Sequence, residues 1–335
     1  RSVALSADGN RLAVGADNND GNGSNSGHVR VFEWNGSTWQ QMGSDIDGES
    51  GDQSGESVAL SADGSRVAIG APNNNNANGA DAGNVRILDW NGTAWVQVGD
   101  DIDGQLEDEN SGNRVALSAD GTKVVIGGWN GSDPTFPWRG VARVFDWSGT
   151  AWVQVGQDFL GAGEDYVLGD AVDISSDGNR IVLGEPGKNE SAGGVLVYDW
   201  NGTAWVQAGS ALSGVAANDE CGGSVALSGD GNRLIVGANG TDGNGSSSGE
   251  ASVYNWDGTD WQLAVPNFEG SADSDRFGNA VTASFSGHRI GVSANKSVWQ
   301  FVRVLDINEN GYCKSDAIQR FAANLQGGVW SVSSD

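Results

Sequence analysis

One segment of this chain, residues 2–16, returns five more times in altered form, so the sequence is an array of six copies of one unit. The first valine of the segment marks the copies at Val3, Val58, Val115, Val172, Val225 and Val281. Successive markers lie 53 to 57 residues apart. This period constrains the fold before any residue is considered for chemistry, and it makes departures from the repeat the place to look for function.

Self-similarity along the whole sequence predicts a single domain, 1–335. Its repeats span approximately 1–56, 57–113, 114–170, 171–223, 224–279 and 280–327. The last segment, 328–335, matches the first eight residues, and we interpret it as the first strand of a further repeat or as a strand that closes a ring. The number of units, six or seven, stays open at this point.

Each copy contains two predicted hairpins and no segment that is long and periodic enough for a helix. In the first copy, two short apolar runs flank the Asp8-Gly9 turn, and a second hairpin has Asn35-Gly36 at its tip. Four short strands per repeat predict an all-β fold, a β-propeller of four-stranded antiparallel blades. Second strands such as 67–69 are apolar without alternation, so both faces of each sheet should be covered.

A tryptophan stands at each foot of the second hairpin in five copies. The pairs are Trp34 and Trp39, Trp90 and Trp95, Trp147 and Trp152, Trp200 and Trp205, and Trp256 and Trp261. Because the position repeats, we predict cross-strand pairs that pack one blade against the next, contributing about 0.5 to 1.5 kcal/mol per pair beyond area burial. A ring of platforms for stacking sugars is the alternative.

Two motifs recur in fixed order, a Phe-Gly before the first strand and a Gly-Ala-Pro after the second. Phe277-Gly278 and Gly70-Ala71-Pro72 carry them in full. On these motifs the chain resembles the FG-GAP repeat of integrin α-subunit propellers and of secreted integrin-like propellers. The resemblance implies an extracellular β-propeller, usually of seven blades. The calcium loop of that family needs three aspartates, and the turn at 61–65 has one, so that metal site is not carried over.

Oxygen-rich loops elsewhere leave calcium binding open. Asp17, Asn19 and Asp20 offer oxygen ligands at the close spacing that a hard cation needs. The alternative is a solvated loop in which Asn, Asp and Gly adopt positive φ. Calcium is the one cofactor that the sequence suggests.

The chain has 44 acidic and 18 basic residues, a formal net charge of −26. Such a surface repels phosphate backbones and anionic lipids, so we expect no nucleic-acid partner and no membrane insertion. One basic residue recurs per copy, at Arg11, Arg66, Lys123, Arg180, Arg233 and Arg289. Acids precede successive first strands, at Glu107, Asp108, Glu164, Asp165, Asp219, Glu220, Asp273 and Asp275. We predict capping by these acids, or salt bridges between adjacent blades.

Two cysteines and nine sequons fit a secreted protein. Cys221 and Cys313 are predicted to form one disulfide, with a buried pair of thiols as the alternative. The candidate glycosylation sites are Asn22, Asn35, Asn91, Asn130, Asn189, Asn201, Asn239, Asn244 and Asn295. At tight turns the alternative is that Asn-Gly is chosen for the turn and the sequon arises by accident.

The third copy departs most from the repeat. Its loop at 128–139 places Trp129, Phe136, Trp138 and Arg139 where other copies have Asn, Gly and Ser. Aromatic loops on a rigid scaffold are typical binding sites, so we predict a contact site for a ligand or partner here. A loop packed over its own blade is the alternative.

The chain has only two histidines, His28 and His288, which are too few to favour a His-based catalytic triad or a zinc site. The sequence therefore predicts a non-enzymatic, extracellular propeller for cell-surface adhesion or for building an assembly. Its partners would be proteins or glycans at the cell surface, with self-association left open. A glycan-binding lectin is one alternative, and a propeller enzyme acting on polysaccharide through two carboxylates is another.

Overall fold

Each repeat folds into one antiparallel sheet, because the inner strands of its two hairpins pair with each other. The computed structural model describes residues 2–130, 136–295, 300–306, 319–323 and 331–332. In the first sheet the strands lie side by side in chain order, as β1 (Ser2–Leu5), β2 (Arg11–Ala16), β3 (His28–Trp34) and β4 (Trp39–Gln41), and the following sheets repeat this order. This arrangement confirms the predicted all-β propeller of antiparallel blades.

The strands of the first three sheets are β1 (Ser2–Leu5), β2 (Arg11–Ala16), β3 (His28–Trp34), β4 (Trp39–Gln41), β5 (Ile46–Asp47), β6 (Ser57–Leu60), β7 (Arg66–Ala71), β8 (Asn84–Trp90), β9 (Trp95–Gln97), β10 (Ile102–Asp103), β11 (Arg114–Leu117), β12 (Lys123–Gly128), β13 (Val141–Trp147), β14 (Trp152–Gln154) and β15 (Phe159–Leu160). The later elements are β16 (Ala171–Ile174), β17 (Arg180–Gly184), α1 (Lys188–Ser191), β18 (Gly194–Trp200), β19 (Trp205–Gln207), β20 (Leu212–Ser213), β21 (Cys221–Leu227), β22 (Arg233–Ala238), β23 (Glu250–Trp256), β24 (Trp261–Leu263), β25 (Phe268–Glu269), β26 (Val281–Ala283), β27 (Arg289–Asn295), β28 (Gln300–Asp306), β29 (Gln319–Ala323) and β30 (Ser331–Val332).

By its internal contacts the chain divides into two compact units. One comprises Arg1–Ile181 with Trp200–Trp205, and the other Val182–Asp199 with Val206–Asp335. In the second unit, β30 pairs with β29 at the edge of the sixth sheet. The boundaries of the predicted repeats and the role of 328–335 stay predictions. No helix in the described parts of the chain is long and apolar enough to cross a membrane.

The outermost strand of the first five sheets is divided into two short segments. In the second sheet, β9 pairs with one half of β8 and β10 with the other half. The predicted fourth strand is therefore present in two pieces. The loop toward the next repeat begins after the second piece, which in the second sheet is β10.

Apolar cores lie between neighbouring sheets, as the second strands predict. Val67 and Ile69 of β7 belong to a cluster with residues of the first sheet, whereas Ala68 belongs to a cluster with residues of the third. All three side chains have no exposed surface. Alternate side chains of one strand thus pack on opposite neighbours, which confirms that both faces are covered.

We call the end of each sheet that carries the Asp-Gly turn its turn end. In the second sheet, Ser61 Oγ donates to Asp63 Oδ1 at 2.7 Å and accepts from the amide of Arg66 at 3.0 Å. The same serine and aspartate bonds recur at Ser6, Ser118, Ser175 and Ser228. The single carboxylate per turn is a turn former here.

For Arg11, Arg66 and Lys123 the predicted salt bridges between blades are wrong, because their partners lie in the same sheet. Arg66 Nε lies 2.6 Å from Asp89 Oδ1 of the same sheet, because Arg66 and Asp89 face each other in the register of β7 and β8. The contact with the next sheet is a hydrogen bond from Arg66 Nη1 to the carbonyl oxygen of Gly121, at 2.9 Å. Arg233 makes the matching bond to Gly287 in the second unit.

The tryptophan pairs of the second hairpin pack as predicted. Trp90 and Trp95 face each other across β8 and β9, with ring centroids 5.5 Å apart. The indole nitrogen of Trp95 also donates to the carbonyl oxygen of Met42 in the preceding sheet, at 3.0 Å. The same bond recurs from Trp152, Trp205 and Trp261. These rings therefore join consecutive sheets.

Candidate functional site

We call the opposite end of each sheet, which carries the long loops, its loop end. Five loops there contain a residue with positive φ two positions before a glycine. These residues are Asn25, Asp81, Trp138, Ser191 and Ser247, with φ between 47° and 63°. Each carbonyl accepts an amide from the loop that leads into the next repeat. The backbone of the loop end is therefore as regular as that of the turn end.

The first unit gathers five polar and aromatic residues at its loop end. We call Glu56, Asn113, Arg114, Trp129 and Asp170 the polar cluster. The guanidinium of Arg114 lies between two carboxylates, 3.8 Å from Glu56 Oε1 and 3.7 Å from Asp170 Oδ1. Glu56 and Asn113 are buried, whereas Arg114 and Asp170 are partly exposed. Two acids and one base leave the cluster a net charge of −1.

Asp170 is held in one orientation. Its Oδ1 accepts hydrogen bonds from Trp129 Nε1 at 3.0 Å and from Asn113 Nδ2 at 3.2 Å. Arg114 is anchored through Nη1, which donates to the carbonyl oxygen of Asn113 at 2.8 Å. Because the described donors approach Oδ1, Oδ2 can bind a water molecule at this partly exposed position.

The repeat explains why these side chains meet. Glu56, Asn113 and Asp170 each follow the glycine of the Phe-Gly motif, one per repeat, immediately before or at the start of the first strand. In the first unit, the first strands β1, β6, β11 and β16 lie side by side in this order, so equivalent residues are neighbours. Arg114 occupies the next position, where the other repeats have Ser or Ala. The sequence contained this signal, because an arginine stands at one aligned position in place of Ser or Ala, but the prediction from sequence did not use it.

The structure brings together part of the predicted contact site. The rings of Trp129 and Trp138 have centroids 6.4 Å apart, tilted by 58°. The Arg139 guanidinium lies over the ring of Phe136, 5.5 Å from its centroid, and Arg139 Nε donates to the carbonyl oxygen of Gly161. Trp129 belongs to the polar cluster through its hydrogen bond to Asp170. Its role as a contact residue, like that of the other three, stays a prediction.

The predicted calcium ligands are used within their own loop. Asn19 Oδ1 accepts the amide two residues later at 2.7 Å, and Asp20 Oδ1 accepts the amide of Asn25 at 2.8 Å. Asp17 is buried, and its Oδ2 accepts from Asn18. These hydrogen bonds brace the loop, and calcium binding here stays a prediction.

Another group of the first unit, His28, Asp45 and Asp47, has ligand atoms within 4.8 Å of one another. Arg30 occupies this group, because its Nε and Nη2 bind the two oxygens of Asp45 at 2.9 and 2.8 Å. The hydrogen bonds from Arg30 lower the pKa of Asp45 to about 2. A cation would have to displace the guanidinium.

Several acids of the loops cap backbone amides, in line with one of the predicted roles. Asp219 Oδ2 accepts the amides of residues 215 and 216, and Asp275 Oδ2 accepts those of residues 271 and 272. Glu109 likewise accepts the amide of residue 105 and pairs with the buried Arg143. Burial raises the pKa of Glu109. These acids hold loops in place.

Seven of the predicted glycosylation sites fall into two groups by their place in the fold. Three lie at exposed hairpin tips, where Oδ1 accepts the amide two residues on: Asn35, Asn91 and Asn201. Four lie in loops at the other end of the sheets, where Nδ2 donates to another protein group: Asn22, Asn130, Asn239 and Asn244. Asn189 is exposed in α1, and the side chain of Asn295 lies outside the described residues. Occupancy stays a prediction.

The predicted disulfide falls partly outside the described residues. Cys221 is buried at the start of β21, and burial raises the pKa of its thiol to about 12. Cys313 lies outside the described part of the chain. The bridge stays a prediction.

The polar cluster has the components for hydrolysis of an ester. A fixed carboxylate with one oxygen available to water is the geometry of a general base. A guanidinium beside it can stabilise negative charge that develops on a carbonyl oxygen. An indole next to both offers an apolar surface against which a sugar ring can lie.

Comparisons with known proteins support the fold and the repeat. The FG-GAP repeat matches residues 209–254, which confirms the predicted resemblance at the level of the repeat. A specific relation to integrin α-subunits stays a prediction. A search of curated proteins found no significant match.

Solved structures match the chain over almost its full length. One is a protein assigned as a 6-phosphogluconolactonase from Bacteroides uniformis, with 15% identity, a TM-score of 0.62 and coverage of 97% of this chain and 95% of that one. Another is the periplasmic gluconolactonase of Pseudomonas aeruginosa, with 14% identity, a TM-score of 0.61 and coverage of 99% and 88%. The β-propeller domain of Cps50 (Swd1) from Myceliophteria thermophila matches with 12% identity, a TM-score of 0.58 and coverage of 97% and 93%.

These matches contradict the prediction of a non-enzymatic protein for adhesion or assembly, because two of these propellers are named as lactonases. That prediction was wrong because it relied on the small number of histidines. Histidine is needed for a triad or for most zinc sites, whereas ester hydrolysis can also use a carboxylate base and an arginine. The structure places those two groups side by side, and the spacing of the repeats separates them by 56 residues in the sequence.

Proposed function

We propose that this protein hydrolyses the ring ester of an uncharged sugar lactone at the polar cluster. The observation that carries the proposal is the placement of the Arg114 guanidinium 3.7 Å from an Asp170 carboxylate that Trp129 and Asn113 hold in one orientation. The names of two structural neighbours support a sugar lactone as the class of substrate.

In the proposed reaction, a water molecule on Asp170 Oδ2 attacks the carbonyl carbon of the lactone while the carboxylate takes its proton. The carbonyl oxygen becomes negatively charged beside Arg114, whose guanidinium stabilises it. The bond to the ring oxygen then breaks, and the protonated Asp170 returns the proton to that oxygen. The products are the open hydroxy acid, as its anion, and one proton released to solvent.

Glu56 supports this arrangement by its charge. Its buried carboxylate lies 3.8 Å from Arg114 on the side away from Asp170, so the guanidinium is held between two acids. With a net charge of −1, the cluster disfavours a phosphorylated substrate, and the chain as a whole carries −26. We therefore propose a neutral lactone as the substrate and not its phosphate ester.

We also propose that the protein acts outside the cytoplasm. One structural neighbour is named as a periplasmic enzyme, and the composition of this chain fits an exported protein. Fractionation of the source cells, followed by immunoblotting of each fraction, tests this point.

The test of function uses Asp170→Asn and Arg114→Met with gluconolactone, following proton release above the spontaneous rate. We expect kcat/KM to fall about 100-fold to 1,000-fold in each variant, the usual effect of losing a base or an oxyanion donor. Glu164→Gln, which changes an exposed acid of the same loop, is the matched control and should retain full activity. Wild-type protein without activity above the spontaneous rate would refute the proposal. A preference for 6-phosphogluconolactone would refute only the choice of a neutral substrate.

A further inference from the structure

Trp138 occupies a backbone conformation that its side chain does not favour. Its φ is +54°, in the left-handed region. The other four repeats with a described residue at this position have Asn25, Asp81, Ser191 and Ser247. Asn and Asp tolerate positive φ best among non-glycine residues, whereas a bulky side chain there is uncommon.

The backbone conformation itself is imposed by the fold. The amide of Trp138 donates to Asn130 Oδ1 at 2.8 Å, and its carbonyl accepts the amide of Val167 at 2.9 Å. In the first repeat, Asn25 makes the same two bonds, to Asp20 and from Gln53. The positive φ is therefore needed for the loop, but an indole at this position is not.

The ring of Trp138 does not add to an apolar core that would explain it. About 47% of its surface is exposed. Strained residues that the surrounding structure holds in place are concentrated at binding sites. A tryptophan kept half-exposed, at a position where serine serves in two other repeats, indicates binding.

Trp138 is connected to the polar cluster through Trp129. The two indole rings lie 6.4 Å apart, and the nitrogen of Trp129 donates to Asp170. The exposed ring of Trp138 thus lies beside Trp129, which is bonded to the carboxylate proposed to act on the lactone. Aromatic faces beside carboxylates suit a sugar ring, since the face packs on C–H groups and the acid accepts hydroxyl donors.

We propose that Trp138 and Trp129 form a stacking subsite for a second, uncharged sugar ring, so that the preferred substrate is the lactone of a disaccharide or longer sugar. This inference rests on the proposed function in one respect, namely that the reactive end of the substrate is a lactone. The subsite itself would bind a neutral disaccharide whether or not hydrolysis occurs, and this allows the two proposals to be tested separately.

The test compares wild-type protein with Trp138→Ser, the residue found at the equivalent position in two other repeats. For the lactones of β-1,4-linked and α-1,4-linked glucose disaccharides, we expect KM to rise at least about fivefold for one of them, the scale of one aromatic contact. The KM for gluconolactone, which has no second sugar ring, should rise less than the KM for that disaccharide lactone. Trp39→Ser removes another exposed indole, in the first sheet, and should change none of these values.

Two further measurements keep the inference falsifiable. Titration of cellobiose and maltose into wild-type protein, followed by tryptophan fluorescence, should show binding that Trp138→Ser weakens by a similar factor. The unfolding temperature of Trp138→Ser should equal or exceed that of wild type, because a strained residue is replaced. A lowered unfolding temperature, or equal binding and equal KM in the variant, would overturn the subsite. Binding of a disaccharide without hydrolysis of any lactone would refute the proposed function and leave the subsite standing.

Discussion

The two ends of each sheet differ in what they repeat. At the turn end both the backbone and the side chains recur, as in Ser61 and Asp63 with their counterparts. At the loop end the backbone recurs, with a residue of positive φ in the long loop of each of the first five sheets, but the side chains change from repeat to repeat. The comparison indicates that the turn end holds the sheets together and that the loop end is free to carry chemistry.

The prediction with the largest expected effect tests whether the backbone of the loop end also contributes to the stability of the fold. A Cβ built at Gly70 would overlap the carbonyl oxygen of Gly112, which lies just before the first strand of the next sheet. We expect Gly70→Ala to reduce the free energy of unfolding by about 4 kcal/mol or more, since neither backbone can move cheaply. Urea denaturation followed by circular dichroism measures this loss.

Gly92→Ala is the matched control at the turn end. Gly92 has a φ of +99°, and no heavy atom lies within 4 Å of a Cβ built there. The alanine suffers only conformational strain, about 1 to 2 kcal/mol. Equal losses in both variants would contradict the view that backbones of neighbouring repeats meet closely at the loop end.

A smaller effect is expected at the turn end, from the bond that joins consecutive sheets. Trp95→Phe removes the donor to the carbonyl oxygen of Met42 and keeps most of the ring. We expect a loss of about 1 to 2 kcal/mol in the free energy of unfolding, because that carbonyl is left without its partner. Trp39→Phe is the control, since the indole nitrogen of Trp39 meets no acceptor among the described residues, and its loss should be smaller.

The smallest effect concerns the acids of the turns and their dependence on pH. The hydrogen bond from Ser6, with those from Asn10, lowers the pKa of Asp8 from 3.8 to about 2. A lowered pKa stabilises the fold at pH values above about 4, and this contribution disappears as the pH falls through about 2. The pKa values of Asp63, Asp120, Asp177 and Asp230 are shifted in the same direction.

The measurement compares the urea midpoints of wild-type protein and Asp8→Asn at about pH 6, 4 and 2. The variant should be less stable at pH 6, and the difference should shrink as the pH approaches 2. A difference that grows on acidification would show that the Asp8 carboxylate is destabilised by the fold, against the bonds described at the turn end.

Much of the fold follows from local pattern. The hairpins, the covered second strands and the tryptophan pairs were predicted correctly because each depends on residues close in sequence or on a repeated position. The partner of Arg66 was predicted wrongly, because it depends on the register of two strands, which places Asp89 opposite Arg66. Pairing across a sheet cannot be deduced from the presence of acids near another strand.

The candidate site was predicted only in part. The loop with Trp129 and Trp138 stood out as a departure from the repeat, whereas Glu56, Arg114 and Asp170 did not. Each of these three is an ordinary charged residue in its own repeat, and 114 residues separate Glu56 from Asp170. These three residues come close together only in the folded protein, where β6, β11 and β16 lie side by side.

By itself the sequence determined the repeating unit, its strands and its turns, because alternation, turn residues and apolar runs act over a few neighbouring positions. The tertiary structure decided which side chains meet, because distances across stacked sheets depend on register and on the loop backbone. It also decided the conformation of Trp138, whose positive φ is set by bonds to Asn130 and Val167 and not by the indole itself.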